Sequence, residues 1–145
     1  MAERKVLVVE ELDPSLPPIQ LDPKQLRQAF LNIIKNSFEA MPEGGKLTVS
    51  TAQKDGKVEV TIGDTGKGIS EENLELVFTP FFSTKHGGTG LGLSITSHIV
   101  KEHKGTIGFQ TYLGLGTAFT IRFPIVASPA AVDEGNGNKA QRLKV

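Results

Sequence analysis

Between Asp22 and Met41 the chain carries one long helical pattern whose two sides constrain the fold more than any other segment. Leu26, Ala29, Phe30, Ile33, Ile34 and Met41 recur at helical spacing, so one stripe must be buried against another layer. Asp22 is placed to cap the helix, Pro23 sits in the first turn where its missing N–H costs nothing, and Gln25 completes a capping-box pattern. Pro42 with Gly44 and Gly45 ends the pattern. Roughly opposite the apolar stripe, at about 100° per residue, stand Gln28, Asn32, Asn36 and Glu39. A solvated face ordinarily carries Lys and Glu, because Asn is a weak helix former that competes for backbone hydrogen bonds. Two amides one turn apart therefore read either as ligands or as partners of neighbouring backbone. As a ligand, an Asn carbonyl oxygen is a hard neutral donor suited to Mg²⁺, which leans on substrate phosphates for its remaining positions.

The remaining segments supply the layer that the helix needs. Lys5 to Val9 is a short apolar run suited to a strand, followed by a Pro-punctuated loop from Asp13 to Pro18. Leu47 to Ala52 and Val58 to Ile62 alternate apolar and polar residues, with hairpin-turn chemistry at Lys54-Asp-Gly-Lys57 between them. Ser70 opens a short helix through Val77, and a Gly-rich segment from Thr84 to Gly92 leads into a helix ending near His103. Thr106 to Gln110 and Ala118 to Phe123 are two further strands, joined through Gly114 and Gly116. Runs of strands with helices inserted predict an α/β (α+β) two-layer sandwich: a mixed, mostly antiparallel sheet with helices on one face.

A chain of 145 residues with 38% hydrophobic content suits one globular domain, expected over 1–126. From Ala127 the composition turns small, polar and rich in Gly and Asn, so 127–145 is expected to be a flexible tail. Sixteen basic residues balance sixteen acidic ones, which removes the cationic excess that nucleic-acid binders use. Cysteine is absent, excluding a disulfide framework and thiolate metal sites. No stretch approaches the roughly 20 apolar residues that span a bilayer, and the N-terminus lacks a leader pattern. The expectation is a cytoplasmic chain without direct membrane contact.

Three further segments carry candidate chemistry. Asp64-Thr-Gly66-Lys-Gly68 follows an apolar strand, which sets a carboxyl group at a strand end where it can accept from an exocyclic amine; an ordinary Asp-Gly turn fits the same letters. Gly87, Gly88, Gly90 and Gly92 precede a helix, where backbone N–H groups and the positive helix end suit phosphates. No Walker P-loop is present, and Lys85 and His86 lie just before the glycines. Phe78-Thr-Pro-Phe81-Phe82 reads equally as core or as the hinge of a lid. His98 and His103 read as structural, His103 standing near a helix C-terminus where a cation is favourable.

Taken in order, these segments resemble the GHKL nucleotide-binding superfamily, and within it the catalytic and ATP-binding domain of sensor histidine kinases. Leu26 to Met41 is similar to the N box, Asp64 to Gly68 to the first glycine box, Phe78 to Phe82 to the F box, and Gly88 to Leu93 to the second glycine box, with Gly116-Thr117-Ala-Phe119 completing the set. The resemblance spans about Leu21 to Pro124, and the wording Pro80 to Lys85 is most similar to the nitrogen-regulation subgroup.

The resemblance implies a Bergerat-type sandwich holding ATP and Mg²⁺. Asn36 matches the Mg²⁺ ligand and Asn32 the preceding polar position. Asp64 matches the adenine-reading carboxylate, and Gly66 and Gly68 the glycines beneath the base. Gly88, Gly90, Leu91 and Gly92 match the lid beside the phosphates, Lys85 a lid cation, and Thr117 the threonine that reaches adenine through water. In ATPases of the superfamily a Glu stands four residues before the metal Asn and activates water. Asn32 stands there in this chain, and an amide cannot take that proton, so transfer to a docked histidine is favoured over hydrolysis. Glu39 departs from the basic residue that many members carry, leaving Lys35 or Lys85 to compensate. None of the three histidines precedes the N box, so the implied acceptor is a histidine on a separate dimerisation domain, with a response regulator downstream.

Overall fold

The computed structural model describes residues 5–80 and 92–125. A five-stranded sheet, in the order β1-β2-β3-β5-β4, is built from β1 (Val6–Glu11), β2 (Gly45–Lys54), β3 (Lys57–Asp64), β4 (Thr106–Tyr112) and β5 (Gly116–Pro124). β1 runs parallel to β2 and every other pairing is antiparallel, so the sheet is mixed and mostly antiparallel as the pattern predicts. The β2–β3 hairpin closes on Asp55 and Gly56, both at positive φ, as a two-residue turn compatible with strand twist requires.

Alternation decides which face is covered. Leu47 and Val49 of β2, Val58, Val60 and Ile62 of β3, and Phe119, Ile121 and Phe123 of β5 are all buried, and the residues between them are more exposed. Two helices lie over that buried face, α1 (Pro23–Glu39) and α2 (Gly92–Glu102), packed against each other. Leu26, Ala29, Phe30 and Ile33 of α1 are buried. Burying a Leu, Phe or Ile side chain contributes about 1.5–3 kcal/mol, so this one stripe anchors the helix. The single hydroxyl proton of Thr96 on α2 is shared between Ala29 O of α1 (3.2 Å), which ties the helices together, and Gly92 O of its own helix (3.0 Å).

The start of α1 follows the sequence in part. Asp22 accepts from the N–H groups of Lys24 (3.0 Å) and Gln25 (3.3 Å). The reciprocal half of a capping box would place the Gln25 side chain on Asp22 N–H, but that donor goes to His103 Nε2 at 2.9 Å. His103 Nδ1 lies 2.8 Å from Ile99 O, so the ring carries its proton on Nδ1 and accepts at Nε2. His103 thus joins the two helix termini through both of its ring nitrogens. α1 also ends at Glu39, earlier than its apolar pattern, with Gly44 and Gly45 turning the chain into β2.

Ser70 leads into a short helix, of 3₁₀ type, over Glu71–Leu76. Phe78 settles into the core edge-to-face against Phe109 (5.8 Å) and Phe119 (6.3 Å). Phe81, Phe82, Lys85, His86, Gly87, Gly88, Gly90 and Leu91 lie outside the described residues, as does the expected tail from 127.

Candidate functional site

Asp64 ends the inward-facing row Val58, Val60, Ile62, so its carboxyl group lies where the pattern calls for an apolar side chain. It is only 8% exposed. Burying a polar group costs free energy unless it is hydrogen-bonded, and only one of its oxygens is so treated. Oδ1 accepts from Gly66 N–H at 2.8 Å and from Thr117 N–H at 3.3 Å. Oδ2 is buried with no hydrogen-bond partner among the described residues. The backbone clamps one oxygen and leaves the other as a fixed acceptor.

Thr117 stands directly opposite Asp64 in the β3–β5 ladder and is itself buried. Its hydroxyl lies 2.8 Å from that of Thr111 on β4, which also accepts from Ile69 N–H (2.9 Å) and donates to Gly116 O (3.2 Å). Thr111 is not signalled by any sequence motif, since a threonine in a strand is an ordinary β-former.

Gly66 and Gly68 are required by protein packing. A Cβ on Gly66 would fall 2.8 Å from both the carbonyl carbon and the Cβ of Ala40, where the end of α1 crosses this loop, and Lys67 N–H donates to Ala40 O (3.1 Å). Gly68 has φ +79°, and a Cβ there would meet Tyr112 O at 2.5 Å and Leu113 Cα at 2.9 Å. The glycines let the loop after Asp64 be gripped between α1 and the β4–β5 turn. Their contribution to a site is the position of the carboxyl group.

On α1, Asn32 and Asn36 are half-buried, between the buried stripe and the exposed Gln28 and Glu39. Asn32 Nδ2 donates to Gly92 O at 3.1 Å, which fixes the first residue of α2 to the polar side of α1. Gly92 is therefore brought to the Asn32 side chain, with its missing Cβ 3.8 Å from it. The described residues contain no group of three or more His, Asp or Glu able to hold a metal alone. Any cation here would depend on neutral amides together with the ligand's own charge. His98 stands exposed on α2. A depression of about 330 Å³ lined by Lys46, Thr48, Gly63, Gln110 and Ala118 also reaches Asp64 and Thr117.

Residues 21–127 match the family model described as histidine kinase-, DNA gyrase B-, and HSP90-like ATPase. The sensor histidine kinase ZraS of Klebsiella oxytoca is 41% identical over 125 residues, covering 86% of this chain and 27% of that protein. Sporulation kinase C of Bacillus subtilis is 44% identical over 104 residues, covering 72% and 24%. The chain thus spans about a quarter of the length of these relatives. Among solved structures, the catalytic domain of histidine kinase ThkA superposes with TM-score 0.73 at 33% identity, covering 82% of this chain and 78% of that one. Full-length ShkA, crystallised with AMPPNP, superposes with TM-score 0.75 at 29% identity, covering 88% and 27%. Among the described residues, no helix is long and apolar enough to cross a membrane. Sequence and fold agree that the chain belongs to the histidine kinase-, DNA gyrase B- and HSP90-like ATPase family, as a histidine kinase catalytic domain.

Proposed function

We propose that the chain binds Mg²⁺-ATP in the cleft between the helices and the sheet, and donates the γ-phosphoryl group to a histidine on a separate dimerisation and phosphoacceptor domain. A response regulator then receives the group. The observation that carries this reading is the buried Oδ2 of Asp64, which has no partner among the described residues. An acceptor held in place at that cost fits an exocyclic N–H of adenine, and AMPPNP on the related ShkA supports an adenine nucleotide in this fold.

The other residues take roles that follow from their chemistry. Thr117 completes the base pocket beside Asp64, while Gly66 and Gly68 hold the carboxyl-bearing loop. Asn36 presents an amide side chain on the polar side of α1 and serves as the Mg²⁺ ligand, a fit that leaves the nucleotide phosphates to supply the charge that the described residues lack. The chemistry that Mg²⁺ would supply when held by Asn36 is neutralisation of the phosphate charge. The family resemblance assigns Gly88, Gly90, Leu91 and Gly92 to the phosphates and Lys85 as a cation for them; of these five, Gly92 alone is among the described residues. Asn32 bonds Gly92 O and carries no basic atom, so it supports positioning rather than activation of water. The chain's contribution to transfer is orientation and charge neutralisation.

The test is to mix the chain with labelled ATP, Mg²⁺ and the helical hairpin of a related kinase. Acid-labile label on the hairpin's histidine is the expected result. Nucleotide binding without transfer to any such partner would leave a nucleotide-gated binding module, and rapid ATP turnover by the chain alone would reverse the argument from Asn32.

A further inference from the structure

We propose that Thr111 is a positioning residue that fixes the polarity of the base pocket, making the Thr117 hydroxyl a pure acceptor so that the pocket takes an amino group and rejects a keto group at the same ring position. This rests on the nucleotide reading above. Thr111 has one hydroxyl proton and three neighbours: it accepts from Ile69 N–H (2.9 Å), and lies 3.2 Å from Gly116 O and 2.8 Å from Thr117 Oγ1. A carbonyl oxygen only accepts, so the Thr111 proton serves Gly116 O. The proton between the two hydroxyls then comes from Thr117. With that proton committed, Thr117 offers only lone pairs to anything beside it. Reversing the pair would take the Thr111 proton away from Gly116 O.

Thr117 and Asp64 are joined across the ladder, Thr117 N–H donating to Asp64 Oδ1 at 3.3 Å. Asp64 Oδ2 and Thr117 Oγ1 therefore form an acceptor-only pair. Adenine offers two N–H groups at its exocyclic position. Hypoxanthine and guanine place a carbonyl oxygen there, which meets two acceptors and no donor. Valine keeps the β-branched shape and β preference but leaves Ile69 N–H and Gly116 O without the Thr111 hydroxyl, a loss that weakens the fold and binding of both nucleotides alike and so is told apart from a change in their ratio.

The intact chain, its Thr111→Val and Thr111→Ser variants are titrated calorimetrically with ADP and with IDP in Mg²⁺, and their unfolding is measured without nucleotide. Thr111→Val frees the Thr117 proton to donate, so the ADP-over-IDP preference narrows by about fivefold, on the scale of one hydrogen bond, mainly through weaker ADP binding. Thr111→Ser keeps the hydroxyl and restores the wild-type ratio. Equal weakening of both nucleotides, or no change, overturns the proposal. Should Thr111→Val not fold, Thr111→Ala reads the same ratio. Failure of the unaltered chain to bind either nucleotide is a different result, which refutes the nucleotide reading itself.

Discussion

Asp64→Asn separates the carboxyl group's role in ligand binding from its role in the fold. In the folded chain Oδ1 accepts two backbone N–H groups, from Gly66 and Thr117, and an asparagine carbonyl oxygen can keep both. The amide nitrogen then replaces Oδ2, which has no partner to lose among the described residues. Folding stability should therefore change by less than about 1 kcal/mol. Binding loses an acceptor and gains a donor pointed at the donor of adenine. A hydrogen bond to a charged group contributes about 1.5–3 kcal/mol net, so affinity for ADP should fall by roughly 10- to 150-fold at 1.4 kcal/mol per tenfold. Calorimetric titration gives the affinity, and denaturant unfolding of the nucleotide-free protein gives the stability. Affinity within twofold of the parent chain would refute the assignment, and so would a stability loss as large as the binding loss.

Asn36→Ala should remove the Mg²⁺ dependence of nucleotide binding; titrations with and without the metal check it, and an unchanged dependence would mean that another residue holds the ion. Gly66→Ala should destabilise the fold by about 1–3 kcal/mol, because its Cβ has no room against Ala40, and urea unfolding would show it. Ser37 is fully buried on α1, its hydroxyl without a hydrogen-bond partner among the described residues, so Ser37→Ala should stabilise the nucleotide-free protein by about 1 kcal/mol through the lost desolvation cost and better helix propensity. A lower unfolding midpoint would show that the hydroxyl has a partner.

Local chemistry was readable wherever one short segment decided the outcome. The Asp22-Pro23 start, the apolar stripe through Ile33, the Asp55-Gly56 turn and the placement of Asp64 at a strand end all follow from neighbours a few residues away. What escaped depends on contacts between distant segments. His103 takes the Asp22 N–H across 81 positions, and no local pattern reports that. Gly66 and Gly68 were visible as glycines, but the backbones that exclude a side chain there, Ala40 and Tyr112, come from other elements. Thr111 and Ser37 look like a normal strand threonine and a normal helix serine. Their interest lies only in where the fold sets their hydroxyls.

The most direct test of the account is calorimetric titration of this chain with an unhydrolysable ATP analogue, with and without Mg²⁺. One saturable site that Mg²⁺ strengthens is the predicted result. A folded chain that binds no analogue, or binds it indifferently to Mg²⁺, would contradict the central claim.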